Sequence, residues 1–377
     1  MKIAMVGISL FNQGAEFVMA TLAKGLTSLG HEVDVIVSAV HSDIAAKSIG
    51  VKPFDVGDRV KVIVLKSRRA RHSIPELRKI FRGSCYDVVM CQASPFSVPI
   101  IFSTLLLNPK PKLVYVEHLG GIGTDMKGHE ITQSKSLKVR FLNWINNRYD
   151  LKVAVSNGTK AAMSRMTGYP SDKIKVVANP VLDSTFEEKR CLPAKHKWLS
   201  AKSDKPVIVA AGALNAVKHF DLLIKAFRLM RDQIDSRLVI FGEGPYRQTY
   251  EKLISDLNLA DCVDMPGFTN QLPAELNNAS CFVVSSYVES FSIVLVEAMA
   301  CGIPVVSVDA PYGPREILRN GTRGVLVENE NALALSNGIA KALRSDINWN
   351  PGDIAVEYGV ARVASLYEAI FSNILGR

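Results

Sequence analysis

The sequence predicts an α/β protein made of two Rossmann-like parallel-sheet domains facing across a cleft. Three observations carry that reading. Short apolar, β-branched runs alternate with helical-period segments almost from end to end, the pattern of parallel sheets flanked by helices. The 377 residues suffice for two or three domains at about 100 to 200 residues each. The rhythm breaks in a polar stretch at 186–205, where Glu187, Glu188, Lys189, Arg190, Pro193, Lys195 and Lys197 show no clear apolar period.

In order along the chain, the first half offers strands at 2–6, 33–37, 60–65, 86–90, 113–116, 151–155 and 174–177, with helices between most of them. The first helix, at 16–29, ends at Gly30, a residue suited to the left-handed cap. Residues 1–185 therefore read as an N-terminal domain and 186–205 as a linker. Strands resume at 207–211, 238–241, 262–264, 281–284, 305–308 and 324–327 within a second domain at 206–350. The tail at 351–377 has a helical period (Ile354, Val360, Val363, Leu366, Ile370) and is expected to cross back to the first domain.

Composition excludes several classes. At 48% hydrophobic and 21% charged residues, the chain is neither disordered nor a coiled coil. The longest apolar stretch, 97–107, is broken by Pro99 and is half the roughly 20 residues that cross a bilayer. The opening MKIAMVGISL reads as a buried strand rather than a signal peptide, which predicts a cytoplasmic address. Six cysteines without CxxC spacing are expected to be reduced and buried.

Charge is shared unevenly. Residues 1–185 carry 25 Lys and Arg against 14 Asp and Glu, whereas 186–377 carry 20 against 22. The densest part is Lys66, Arg68, Arg69, Arg71, Arg78, Lys79 and Arg82, opposed by Glu76 alone. Such a stripe would attract an anionic membrane surface or a phosphorylated acceptor, and it is a means of peripheral attachment at the inner face of the cell membrane. A solvated face with no partner is the plainer alternative. Nucleic acid is disfavoured, because neither stacking aromatics nor a helix-turn-helix pattern accompanies the charge.

Open α/β sheets bind ligands at the carboxyl ends of their strands. The dinucleotide fingerprint GxGxxG is missing after the first strand, where Gly7-Ile-Ser-Leu-Phe-Asn-Gln-Gly14 stands instead, so nicotinamide chemistry is disfavoured. The most informative segment runs from Ser285 to Pro304. It places Glu289 in a loop and Glu297 two turns into an apolar helix that Gly302 caps. Eight helical positions span about 12 Å, roughly the reach from the sugar to the ribose of a nucleotide sugar. The helix start between the carboxylates offers unpaired N–H groups to a diphosphate.

This segment resembles the E-x7-E signature of retaining glycosyltransferases of family 4 (glycosyltransferase group 1), which have the GT-B fold. The likeness extends to 211–227 with Lys218, to Phe241-Gly-Glu-Gly-Pro245, and to the Pro266-Gly267-Phe268 turn. In the first half it includes Gln13-Gly14-Ala15-Glu16, Glu117-His118, Ala154-Val155-Ser156 and Ala178-Asn179-Pro180-Val181. The resemblance implies Glu289 at the donor sugar hydroxyls, Glu297 on the ribose, Lys218 on the diphosphate, and His118 near the reacting carbon. It further implies Gly14 close to the phosphates, and Phe291, Ser292, Ile293 and Phe268 around the donor. The family's usual arginine two residues after the strand is Ala213 here, and Arg315 is a candidate to replace it. The family's glycine after the lysine is His219.

Neither an Asp-x-Asp nor a metal-spaced ligand set appears, so no cofactor and no divalent metal are expected. The resemblance implies transfer, with retention, from a nucleoside-diphosphate sugar to a saccharide or lipid-linked acceptor of surface polysaccharide or glycolipid. A non-catalytic GT-B binding partner, suggested by Ala213, and a nucleotide-sugar epimerase are the alternatives.

Overall fold

The computed structural model describes residues 1–11, 14–38, 54–67, 69–92, 94–118, 143–200 and 203–377. They form two compact units: one takes the chain up to Asp183 and again over Tyr358–Arg377, the other is Ser184–Glu357.

The first unit is built on seven parallel strands: β1 (Lys2–Val6), β2 (Glu32–Ser38), β3 (Lys61–Leu65), β4 (Val88–Cys91), β5 (Lys112–Glu117), β6 (Leu151–Ala154) and β7 (Ile174–Val176). Their order is β3-β2-β1-β4-β5-β6-β7, with Ile3 opposite both Val33 and Val88. Helices α1 (Gly14–Ser28), α2 (Ile74–Ser84), α3 (Ser97–Thr104) and α4 (Asn157–Thr167) connect them. Because both faces are covered, the central strands read as continuous apolar runs, and alternate residues feed two cores. Ile3, Met5, Val35 and Met90 pack with Met19 and Leu22 of α1. Ala4, Val6, Ile36 and Val89 pack with Leu77 and Phe81 of α2 and Ile100 of α3.

The second unit has six parallel strands: β8 (Val207–Ala211), β9 (Arg237–Phe241), β10 (Val263–Gly267), β11 (Cys281–Val284), β12 (Val305–Val308) and β13 (Val325–Val327). Their order is β10-β9-β8-β11-β12-β13. Its helices are α5 (Phe186–Arg190), α6 (Phe220–Arg231), α7 (Arg247–Asp256), α8 (Leu272–Leu276), α9 (Ile293–Ala300), α10 (Pro314–Ile317), α11 (Ala332–Ala342) and α12 (Pro351–Glu357). Leu223 and Phe227 of α6 and Leu335 and Ile339 of α11 bury Ile208, Ile240 and Val283 of the sheet.

Three expectations are corrected. The polar stretch 186–205 is folded onto the second unit, with α5 as its first turn. The buried carboxylate of Glu275 accepts the backbone N–H groups of Lys195 (3.0 Å) and His196 (3.2 Å), and Asn278 donates to the carbonyl of Leu199 at 2.8 Å. The tail is two helices rather than one. It breaks at Gly359, where the Tyr358 carbonyl accepts from Val181 and Leu182, and the chain then enters α13 (Val360–Leu375). α13 is part of the first unit and adds Val363, Tyr367 and Phe371 to the core over α1. Of the six cysteines, all free, Cys85 and Cys191 are exposed, while burial pushes the thiols of Cys262, Cys281 and Cys301 up.

Candidate active site

In the second unit the chain leaves β8 for β9 on one side and reaches β11 on the other. The loops from the carboxyl ends of β8 and β11 therefore meet at that switch point, the usual place for a ligand in an open α/β sheet. The β8 loop makes one tight turn, Ala216–Lys218, capped by Asn215, whose Oδ1 accepts the Lys218 backbone N–H at 3.1 Å. The stem of Lys218 runs over Gly212, where a Cβ would lie 3.3 Å from Cγ, Cδ and Cε. From the β11 loop, Ser285 donates its hydroxyl to the Lys218 carbonyl and the Tyr287 N–H donates to the Val217 carbonyl, both at 2.9 Å.

The two loops thus bring the Lys218 ammonium to 2.6 Å from Oε2 of Glu289, to which the Ser286 hydroxyl also donates at 3.3 Å. The lysine and glutamate side chains are 25% and 12% exposed, so the pair is shielded from solvent without being sealed. A third loop fixes the Glu289 backbone. Its N–H donates to Pro311, and its carbonyl accepts from Tyr312 at 2.9 Å and Gly313 at 2.7 Å.

Four residues beyond Glu289, α9 begins at Ile293. Glu297 is half-buried and one turn into the helix rather than the two expected, because residues 289–292 are loop. Ser292 occupies the cap position with no side-chain cap bond, and its buried hydroxyl has no partner among the described residues. Phe291 beside it is buried and Ile293 half-buried. The first N–H groups of α9 have no partner within the helix and carry the positive end of its dipole, which suits an anion.

The remaining second-unit residues lie near these loops or apart from them. The turn after β9 packs backbone to backbone on the β8 loop: Gly242 has φ +147°, and a Cβ there would fall 1.9 Å from the Gly212 carbonyl oxygen. Gly267 accepts the Gly242 N–H at 2.9 Å, and Phe268, next along, is 57% exposed. Ala213 is exposed. The guanidinium of Arg315 is held by both carboxylate oxygens of Asp309, which raises its pKa further. His219 follows Lys218 in the left-handed region at φ 51°, the conformation for which a glycine is the easier residue.

The first unit has its own switch point between β1 and β4. Gly14 opens α1, and Gln13 lies outside the described residues. His118 leaves β5 and Gln92 leaves β4, and the histidine Nε2 meets Oε1 of Gln92. That oxygen only accepts, so Nε2 carries the hydrogen. Burial pushes the imidazole down to about 4, and the ring is neutral at neutral pH. Of the basic stripe, Arg68 lies outside the described residues, while Lys66, Arg69, Arg71, Lys79 and Arg82 are exposed. Glu76 turns to the backbone N–H groups of Lys66 (3.0 Å) and Ser67 (3.4 Å). Arg78 donates to the Phe102 carbonyl at 2.6 Å, tying α2 to α3, at whose end Phe102, Leu105 and Leu106 are 38%, 46% and 74% exposed.

Sequence reasoning passed over Ser285, Ser286, Tyr287 and Gln92. Each of these follows closely on the last residue of a buried strand, and a polar residue there is the signal that would have found it.

The sequence model of the glycosyl transferases group 1 matches residues 193–351, and that of glycosyltransferase family 4 matches residues 12–183. The chain belongs to the group 1, family 4 glycosyltransferases. Among relatives of this glycosyltransferase, the N-acetyl-alpha-D-glucosaminyl L-malate synthase of Bacillus anthracis is 23% identical, over 98% of this chain and 97% of that protein. A Campylobacter jejuni enzyme, N-acetylgalactosamine-N,N'-diacetylbacillosaminyl-diphospho-undecaprenol 4-alpha-N-acetylgalactosaminyltransferase, is 34% identical over 37% of this chain and 38% of its own. The crystal structure of Anabaena HepE in complex with UDP-glucose superimposes with a TM-score of 0.75 at 18% identity, covering 99% of this glycosyltransferase and 100% of that chain. The fold is GT-B, two Rossmann-like domains.

Proposed function

We propose that this glycosyltransferase moves a hexosyl group, with retention of configuration and without a divalent cation, from a nucleoside-diphosphate sugar to a surface-polysaccharide or glycolipid acceptor. The observation that carries the reading is the shielded Lys218–Glu289 pair, 2.6 Å apart beside the start of α9. The diphosphate gains negative charge as its bond to the sugar breaks. A cation held beside it therefore stabilises the transition state more than the ground state. Lys218 supplies that charge, the N–H groups of α9 share it, Glu289 holds sugar hydroxyls, and Glu297 holds the ribose. The acceptor oxygen attacks the anomeric carbon from the face the diphosphate leaves. Its proton passes to the departing phosphate oxygen, so no protein base is required. His118, neutral and donating to Gln92, is read as touching the sugar.

The donor class is supported by the UDP-glucose that HepE holds, and the acceptor class by the lipid-linked glycan in the Campylobacter enzyme's name. A cytoplasmic enzyme with such an acceptor works at a membrane surface. The exposed cations of α2 and the leucines at the end of α3 offer anionic headgroups and acyl chains a complementary face.

Turnover with a panel of UDP-, GDP- and ADP-sugars tests the reading. A charge-assisted hydrogen bond contributes about 1.5–3 kcal/mol, so Lys218→Ala is expected to lower kcat/KM by roughly ten- to a few hundredfold. EDTA is expected to leave turnover unchanged. Full activity in Lys218→Ala would refute the site. Ala213 and the engagement of Arg315 by Asp309 favour a second reading, a chain that binds nucleotide but transfers nothing. Calorimetric binding of a nucleoside diphosphate without turnover of any donor would establish it.

A further inference from the structure

His219 stands where a glycine would adopt the backbone without strain, and the structure gives its ring a use. The imidazole lies flat on the ring of Tyr287, centroids 3.6 Å apart and planes 13° from parallel. His219 is 6% exposed and its Nδ1 has no hydrogen-bond partner among the described residues. Asp221 Oδ1 is 3.7 Å from Nε2, beyond a good hydrogen bond. Burial holds the imidazole below its ordinary pKa, so the stacked ring is uncharged at neutral pH. The stack is therefore the ring's principal contact, and it joins two loops. His219 directly follows Lys218, and Tyr287 lies two residues before Glu289. The Tyr287 backbone is anchored on both sides, its N–H on Val217 at 2.9 Å and its carbonyl on the Asn329 amide at 3.2 Å.

We propose that His219 and Tyr287 are positioning residues: their stacked rings clamp the loop of Lys218 to the loop of Glu289, so that the ammonium is already in place when the donor arrives. The inference rests on the reading of Lys218 as the diphosphate's cation. A glycine at 219 would ease the backbone but leave the lysine loop freer to move, and a long flexible ammonium stem gains most from such bracing.

A double-mutant cycle tests the clamp on the full chain. His219→Gly removes the ring while suiting the left-handed backbone, and Tyr287→Ala removes the other half of the stack. Each is expected to lower kcat/KM about tenfold, mainly through kcat, with Tyr287→Phe within about twofold of wild type. In a Lys218→Ala background the same substitutions are expected to change kcat/KM by less than about twofold, because the group they position is gone. Single variants that stay within twofold of wild type overturn the clamp. So does a tenfold loss that persists without Lys218, which would mark a general structural role. Hydrogen exchange over 215–219 in the ligand-free chain gives a reading that needs no turnover. His219→Gly is expected to speed it at least about tenfold, and unchanged exchange overturns the clamp. Absence of turnover in the wild type sinks the transfer reading instead, and the exchange result then decides the clamp by itself.

Discussion

Desolvation pushes the His118 imidazole, which donates to the Gln92 amide, down to about 4 from the ordinary 6.5. Between those values the unfolded chain binds a proton that the folded chain refuses. The stability tied to the neutral ring is then fully present above pH 6.5 and is lost as pH falls toward 4. His118→Gln should flatten the acid limb of a denaturant-midpoint-versus-pH curve, and an NMR titration of wild type should show no His118 transition between about pH 5 and 8. Either a midpoint near 6.5 or an unchanged acid limb would contradict the neutral assignment. Lys218, Glu289 and His118 were visible as residues because each stands at a strand or helix boundary. What their neighbours do was not visible. Ser285, Ser286 and Tyr287 reach Lys218 only because β11 lies beside β8, and no local pattern in either loop reports that adjacency.

Elements were legible where burial is periodic. All thirteen strands of the described residues fall on apolar runs read from the sequence, and the ends differ by a few residues because edges are set by hydrogen bonds rather than by side-chain character. The stretch 186–205 was misread for a physical reason. It is fixed by side chain to backbone bonds from Glu275 and Asn278, about 80 positions away, which leave no apolar period behind. Backbone contact between elements can be equally silent and equally strict. The turn after β9 meets the β8 loop at Gly242, whose φ of +147° and missing Cβ are both required. Gly242→Ala should cost more than about 2 kcal/mol in unfolding free energy, and it should disturb Lys218 through Gly212. Urea denaturation with intrinsic fluorescence checks this, and a loss under about 0.5 kcal/mol would show that the contact yields cheaply.

At the scale of the molecule, charge and chain path matter more than any one side chain. The positive charge is concentrated in the first 185 residues, α2 carries exposed cations, and α3, tied to it through Arg78 and the Phe102 carbonyl, is followed by the exposed Leu105 and Leu106. Vesicles containing about one-third anionic phospholipid should sediment the protein in about 0.1 M salt and lose most of it in about 0.5 M, with Leu106→Glu binding more weakly than wild type at low salt. Salt-insensitive sedimentation, or binding unaffected by Leu106→Glu, would count against that face. The chain path has a separate consequence. Val363, Tyr367 and Phe371 of α13 complete the core over α1, yet they lie more than 300 residues beyond it in the chain. The contiguous span Ser184–Glu357 is synthesised whole before them, so the unit begun first is the unit whose core is completed last, and a stop codon just after Glu357 would damage the fold of the opening residues.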